Sequence, residues 1–297
     1  MVFRSAQDLD LESAKKATKN IIDVIVDFLN SVEAVFPNSG YGDLSKNMCY
    51  LRNDVNNCKG PFLDLSQIDR YIGSLLDAFT RMNPDIEKNL RDLYDAYVEV
   101  SDFLVNNNTN IDFKLLDFDP HKVTKMRNNV FDSNLILFTL KQENYRDKVA
   151  LRALFSSFSS VVETTEKSFL DELLKYRDRI NQFAINNQIQ YIFPHDPVSI
   201  FGIEGKIQRT NGKYYTKPRA LRHLINHDHV TINQNNGSMN IHFQSPSDPS
   251  WEFQFDEKYT VEEFFDYYAN VDLFYKTAVC LMFSLMLNAV LKTCFKS

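Results

Sequence analysis

The sequence predicts an all-α protein, built as a helical bundle with one small β-hairpin. Glycine is scarce, with 8 residues among 297, and phenylalanine is abundant, with 24. Few glycines and many long apolar side chains favour helices over a barrel or a sandwich, whose strands need frequent turns. Apolar residues also recur at helical spacing through several long segments. No internal repeat is evident, so a solenoid is not expected.

In the N-terminal half, helices are predicted between short loops. The first helix covers residues 12 to 36, and Pro37 ends it. The letters PNSGYGD then predict a loop. The next helices are expected to start near Leu65 and near Pro84, and the second of these reaches about Val105.

The C-terminal half, residues 141–297, predicts a second domain with a definite order of elements. A long helix is expected over residues 145 to 185, which contain neither proline nor glycine, so that it forms two helices or one helix with a break. A loop with two prolines at residues 192 to 206 follows. It leads to a helix over residues 216 to 229, with Pro218 in its first turn.

Residues 230 to 243 change from helical to alternating periodicity. The alternation runs on both sides of Asn236 and Gly237, which is a strong signal for a β-hairpin. Thr260 and Glu263 then fit a capping box at the start of the last helix. The C-terminal half therefore reads as a long helix, a motif helix, a hairpin and a closing helix.

Composition restricts the classes of function. The net charge of -6 argues against a general nucleic-acid coat but leaves room for a local basic site. The 4 cysteines form no Cys-x-x-Cys pair, so a zinc ribbon is not expected. Residues 277–291 carry no charge but are fewer than the roughly 20 apolar residues of a spanning helix, so we predict a buried helix. We expect a cytoplasmic protein without a membrane anchor, and we assign residues 1–140 to an N-terminal helical region of unknown role.

Half of the chain's 6 histidines lie on one short segment, RALRHLINHDHVTI. His223, His227 and His229 occur there, preceded by Arg219 and Arg222. A histidine can move protons to and from a ribose hydroxyl at neutral pH, and an arginine can hold a scissile phosphate.

The stretch from residue 206 to residue 229 is basic within an acidic protein, and Asp228 is its single acid. A positive patch of this kind attracts phosphates. RNA brings its own nucleophile, the 2′-OH, so no serine or cysteine is needed. The pattern therefore predicts phosphodiester cleavage without a metal ion.

The letters RHLINH, at residues 222–227, resemble the Arg-x4-6-His motif of HEPN domains. The order of a long helix, a motif helix and a closing helix is also similar, over about residues 145 to 294. The resemblance implies an α-helical, usually dimeric domain and a metal-independent endoribonuclease of phage defence or of a toxin system. It assigns Arg222 and His227 to the catalytic pair and His223 to the polar position between them.

The predicted site has a catalytic pair, Arg222 and His227, and a supporting shell. The supporting or substrate-binding residues are the polar neighbours on the same segment: His223, Asn226, His229 and Arg219. Arg152 and Glu163, on one side of the long helix, are either an orienting pair or surface residues. The expected partners are RNA, a second copy of the chain, and an antitoxin or regulatory protein. No metal and no cofactor is expected.

Three alternatives stay open in the sequence. In a regular helix Arg222 and His227 point about 140° apart, so either the helix ends near His227 or a dimer completes the pair. The three histidines are also at a spacing that could bind a metal, although no HExxH glutamate is present. Finally, the segment could be the phosphate-binding face of a non-catalytic nucleotide- or partner-binding protein.

Overall fold

The computed structural model describes most of the chain outside its middle. The described residues are 11–35, 37–59, 63, 66–82, 148–167, 206–235 and 238–294, with residues 88, 91, 95, 128, 136, 178, 181, 182, 185 and 186. They belong to two compact units, of which the first combines residues 1–127, 172–195 and 276–297 and the second combines residues 128–171 and 196–275. The boundary predicted after residue 140 stays a prediction, because residues 137–147 are outside the described part. Most of the helix predicted from Pro84 and most of the two-proline loop also lie outside it.

The first unit begins with two helices that pack against each other. Helix α1, at Leu11–Val35, confirms the first predicted helix and buries an apolar stripe that includes Ile25 and Phe28. Helix α2, at Tyr41–Asn57, is missing from the sequence-based prediction. Its buried side chains form one narrow stripe on an otherwise polar helix: Tyr41, Leu44, Ser45, Met48, Leu51 and Val55.

Helix α2 was not predicted because its N-terminus is capped from outside the helix. Gly40 precedes it in the left-handed region, with φ 85, and offers no side chain as a cap. Glu33, near the end of α1, instead accepts hydrogen bonds from the N–H groups of Tyr41 and Gly42, each at 3.1 Å. The usual capping residue directly precedes its helix, so a cap that comes from the preceding helix leaves no recognisable pattern at the start of α2.

The first unit also contains helix α3, at Ser66–Met82, which starts where the sequence predicts, and the later part of the closing helix. That closing helix runs over Val261–Cys294. Among the side chains that the structure describes within residues 277–291, those of Cys280, Phe283, Ser284, Leu287 and Leu291 are buried. Within the part of the chain that the structure describes, no helix has both the length and the apolarity that crossing a bilayer requires.

The second unit combines helices with strands, so the predicted all-α fold is wrong. Its described part includes α4 at Lys148–Val161, a π-helix at Val162–Lys167, α5 at Lys217–Asn226 and the start of the closing helix, α6. The strands are β1 at Lys206–Gln208, β2 at Tyr214–Thr216, β3 at Val230–Asn235, β4 at Ser238–Gln244 and β5 at Asp256–Thr260. Among the described residues these strands form two antiparallel sheets, β1–β2 and β3–β4–β5.

The predicted hairpin is present as β3 and β4, with Ile232 opposite Ile241. Its turn, residues 236 and 237, lies outside the described residues. Strand β5 extends the hairpin and places Lys258 opposite His242. It reads DEKYT and shows no apolar alternation, whereas β1 and β2 are only 3 residues each. A polar strand or a strand of 3 residues cannot show a clear alternation of apolar and polar residues in the sequence.

An aromatic core holds the three-stranded sheet of the second unit in place. Phe243 of β4 contacts Phe155 of α4 edge-on at 6.0 Å and Phe264 of α6 at 5.2 Å, measured between ring centroids. Phe158 contacts Tyr268 edge-on at 5.4 Å. Each such ring pair adds about 0.5–1.5 kcal/mol to the energy of area burial. Strand β3 begins shortly after α5 ends, so the packing of the sheet on this core also sets the position of the C-terminus of α5.

The start of α6 confirms the predicted capping box. The hydroxyl of Thr260 accepts the N–H of Glu263 at 3.1 Å. The carboxylate of Glu263 in turn accepts the N–H of Thr260 at 2.7 Å. Two backbone donors at the helix terminus are satisfied reciprocally, which fixes the passage from β5 into α6.

Candidate functional site

Helix α5 carries the histidine segment and ends earlier than predicted. Thr216 is its N-cap and accepts a backbone N–H of the first turn at 3.4 Å, and Pro218 lies in that turn as predicted. The last helical residue is Asn226, so that His227 lies at the C-cap with φ -110 and ψ 15. Of the two geometries considered from the sequence, the one in which the helix ends near His227 is observed.

The end of α5 is a Schellman motif. The N–H of His229 donates to the carbonyl oxygen of Leu224 at 2.9 Å, and the N–H of Asp228 donates to that of Ile225 at 3.3 Å. These two bonds define the motif. Asp228 occupies its left-handed position, with φ 58, which glycine usually takes. The chain therefore reverses directly into β3 and takes His227 and His229 out of the helical period.

A second turn holds Trp251. The carboxylate of Asp248 accepts hydrogen bonds from the N–H and the hydroxyl of Ser250, both at 2.8 Å, and the N–H of Trp251 donates to the carbonyl of Asp248 at 3.0 Å. Just beyond, the N–H of Thr210 donates to the carbonyl of Glu252 at 2.8 Å. Trp251 is thus fixed between an Asx-type turn and a backbone hydrogen bond to Thr210, which follows β1.

Four rings meet where these turns converge, and we call them the histidine–tryptophan cluster: His223, His227, His229 and Trp251. The ring centroids of His223 and His227 are 4.4 Å apart. Trp251 lies 5.2 Å from His223, 5.8 Å from His227 and 4.6 Å from His229. His227 is exposed and the other three are half-buried. Buried Phe253 contacts both His223 and Trp251, so the cluster rests on the core.

The protonation of His223 is set by its position in the cluster. Burial is the main cause that lowers its pKa, and the neighbouring His227 and Arg222 lower the pKa further. Glu252 acts in the opposite direction and does not cancel the effect. The usual pKa is already about 6.5, so His223 is neutral at pH 7 and can accept a proton or a hydrogen bond.

Beside the cluster, two guanidinium groups lie over the ring of Tyr215, Arg209 at 4.5 Å and Arg219 at 5.2 Å from its centroid. The hydroxyl of Tyr215 donates to Glu252 at 2.8 Å, and this carboxylate also binds Arg209 at 2.9 Å. The Tyr215 ring contacts His223 at 6.1 Å and so joins this group to the cluster. Among the described residues Arg219 forms no ion pair with a carboxylate, so its charge is available to a ligand.

Arg222 faces a different partner. Its Nη2 forms an ion pair with the carboxylate of Glu163, on the π-helix, and the two side chains are 21% and 32% exposed. π-Helical segments are frequent at functional sites. Burial lowers the pKa of Arg222. Arg152, the partner that the sequence suggested for Glu163, is exposed on α4.

The basic stretch that the sequence indicates is less positive in the folded chain. Three of its cations pair with carboxylates that come from outside the stretch: Arg209 with Glu252, Lys217 with Glu257, and Arg222 with Glu163. Lys213, which is exposed, and Arg219 form no such pair within the described residues. Of the cations whose side chains the structure describes in this stretch, those without a carboxylate partner, Lys213 and Arg219, are therefore close to Tyr215 in the chain or over its ring.

The metal alternative gains no support from the arrangement of the histidines. Across the described segments, no three side chains of His, Cys, Asp or Glu are grouped so that they could hold a metal ion. His223 and His227 are neighbours, as their spacing on the sequence predicts. The ring of Trp251, however, contacts all three histidines of the segment.

Of the residues predicted for the site, the three histidines come together, and Arg222 lies near enough to His223 to affect its pKa. Asn226 is exposed at the end of α5. Two residues of the site, Trp251 and Glu252, were not predicted from the sequence. One signal for Trp251 was present, because it is the only tryptophan of the chain and directly follows the turn SPSDPS.

Comparison of the chain with protein families, with curated proteins and with solved structures finds no match. The resemblance to HEPN domains therefore stays a prediction. Any function assigned to the chain depends on the residues described above.

Proposed function

We propose that this protein is a metal-independent endoribonuclease of HEPN type, with His227 as the proton-transferring group and Arg222 as the phosphate-holding group. We further propose that it acts in the cytoplasm as a homodimer, in phage defence or in a toxin system that an antitoxin or regulatory protein controls. The observation that carries the proposal is the contact of exposed His227 with neutral His223, at 4.4 Å between ring centroids, beside an arginine.

The proposed reaction is a transesterification within RNA. The 2′ oxygen attacks the adjacent phosphorus, and its proton passes to His227. The new P–O2′ bond forms as the P–O5′ bond breaks, and the 5′ oxygen takes up a proton from solvent. The products are a 2′,3′-cyclic phosphate and a 5′-hydroxyl end, and His227 returns its proton to water. An arginine stabilises the negative charge that develops on the phosphate oxygens.

The described contacts support separate roles for the two histidines. His227 is exposed at a helix end and can reach a ligand, whereas His223 is half-buried between His227 and the core. Because burial keeps His223 neutral, it adds no positive charge beside His227. Arg219 lies over the ring of Tyr215, has no carboxylate partner among the described residues, and can bind a neighbouring phosphate.

One observation favours a second candidate, a non-catalytic nucleotide- or partner-binding protein. Glu163 neutralises Arg222, and a phosphate that approached this arginine would have to displace the carboxylate. In a binding protein the pair would be permanent and structural. In the proposed nuclease, RNA or the second copy of the chain separates the pair.

The test is cleavage of total RNA in EDTA by the purified full chain. We would compare wild type with His227→Ala and with His242→Ala. His242 is a matched control because it lies on β4, bonded to Asp256 at 2.7 Å, outside the histidine–tryptophan cluster. Loss of a general base slows a reaction by about 100-fold or more.

The nuclease account predicts that wild type and His242→Ala cut RNA at the same rate and that His227→Ala is at least about 100-fold slower. Equal rates for wild type and His227→Ala would remove His227 from the chemistry. Absence of cleavage by wild type, as a dimer and with RNA in excess, would favour the binding protein.

A further inference from the structure

The histidine–tryptophan cluster has the composition of a surface that binds flat ligands. Unpaired nucleobases stack on aromatic rings and on guanidinium planes, and the same kind of surface accepts every base. Rings that serve packing alone are buried, as Phe253 is, with 1% exposed. In the cluster, by contrast, His227 is exposed and Trp251 and His229 are half-buried.

Charge next to the cluster matches a nucleic-acid strand on one side only. Arg219 lies over Tyr215, and exposed Lys213 is two residues before Tyr215 in the chain. Within the described part of the chain neither cation pairs with a carboxylate. Two acids, Asp228 and Asp248, belong to the two turns that hold the cluster. A third acid, Glu252, lies on the Tyr215 side, where Arg209 pairs with it. A strand would therefore place its phosphates on the Tyr215 side and its base on the cluster.

A duplex cannot use such a surface. Paired bases are stacked on one another, and the deep major groove and shallow minor groove of A-form RNA offer only their edges. A base that contacts the rings of the cluster must first leave the stack, which costs a few kcal/mol in a duplex and little in a single strand.

We propose that the histidine–tryptophan cluster binds an unpaired RNA base next to the scissile phosphate, so that the substrate class is single-stranded RNA. The proposal rests on the proposed function for the cleavage step alone, since base binding requires no chemistry. A base held against Trp251 places its ribose near His227, whose ring lies 5.8 Å from that of Trp251.

The binding test uses the intrinsic fluorescence of Trp251, which is the only tryptophan of the chain. Excitation at the red edge of tryptophan absorption avoids the tyrosines. The probes are a single-stranded 2′-O-methyl RNA, which cannot be cleaved through the 2′-OH, the same strand with abasic sites, and its duplex. The three probes carry similar phosphates but differ in the bases they present.

We expect the intact single strand to change the emission of Trp251 and to bind at least about tenfold more tightly than the abasic strand, which corresponds to about 1.4 kcal/mol. The duplex is expected to bind as weakly as the abasic strand. Equal affinities for the intact and abasic strands would show that only phosphates bind and would overturn the proposal. Tight duplex binding, or no change in Trp251 emission at saturation, would overturn it as well.

Variants test the same point by anisotropy of a labelled strand. Trp251→Ala is expected to lose about tenfold in affinity for the intact strand and to bind the abasic strand as wild type does. Trp251→Phe keeps a ring and is expected to recover most of the affinity. If Trp251→Ala does not fold, the three probes on wild type decide the question alone.

Failure of this inference differs from failure of the proposed function. Cleavage of total RNA without any preference for the intact over the abasic strand overturns the base-binding site and leaves the nuclease. Preference for the intact strand without cleavage overturns the nuclease and leaves a single-strand RNA-binding protein. Binding of neither strand overturns the base-binding site, and the cleavage assay then decides the nuclease separately.

Discussion

The ion pair between Arg222 and Glu163 joins the motif helix to the π-helix, and its coupling energy can be measured. Exposed pairs contribute about 0.2–1 kcal/mol, whereas removal of one partner from a buried pair costs about 3–5 kcal/mol. The side chains of Arg222 and Glu163 are 21% and 32% exposed, so this pair is intermediate between an exposed pair and a buried pair. The Nε of Arg222 is buried and has no hydrogen-bond partner within the described residues, so the geometry is not ideal. We therefore expect a coupling of about 2 kcal/mol.

The assay is a double-mutant cycle with Arg222→Met and Glu163→Gln, followed by urea unfolding monitored through Trp251. With a urea slope of about 1–3 kcal/mol/M, each single change should move the midpoint by roughly 1 M. The matched control is Arg152→Met on the exposed side of α4, which should change the unfolding free energy by less than about 0.5 kcal/mol. A coupling below about 0.5 kcal/mol between Arg222 and Glu163 would refute the reasoning.

Three further predictions concern the turn, the buried histidine and the basic edge of the site. Asp228→Gly should raise the unfolding free energy by about 0.5–1 kcal/mol in urea, and Asp228→Val should lower it, because φ 58 suits glycine and opposes a β-branched side chain. The pKa of His223 is lower in the folded chain than in the unfolded chain, so the unfolded chain binds this proton first as the pH falls. The free energy of unfolding should therefore decrease as the pH drops below 6.5, and it should decrease less in His223→Gln. The pKa of Glu252 is lowered from its usual value of 4.5, so the loss of stability that its protonation causes appears only at a lower pH than the loss caused by His223. Arg219→Gln should lower the slope of log affinity against log salt for single-stranded RNA by about 1, whereas an unchanged slope would remove Arg219 from phosphate binding.

Local signals in the sequence were sufficient for some elements of the fold. Helix α1, the hairpin β3–β4 and the capping box of Thr260 with Glu263 were predicted, because each depends on residues next to one another in the chain. Helix α2 was not predicted, because its cap comes from Glu33. The strands β1, β2 and β5 are too short or too polar to show a period of two, and only pairing across the sheet makes them strands.

The candidate site was predicted in part for the same reason. The three histidines share one short segment, so their grouping could be read from the sequence. Trp251 and Glu252 come from a turn more than 20 residues further along the chain, and only the fold brings them beside the histidines. The partner of Arg222 was likewise hidden, because Glu163 lies on another helix.

In the proposed reaction, RNA is cut through its own 2′-OH without a metal ion. The most direct measurement maps a cut site in EDTA and then compares an RNA of that sequence with one that carries a single 2′-O-methyl group at the cut. We predict that wild type cuts only the unmodified RNA and leaves a 2′,3′-cyclic phosphate, and that His242→Ala does the same. Cleavage of the methylated RNA, or 3′-hydroxyl ends that disappear with EDTA, would contradict the claim.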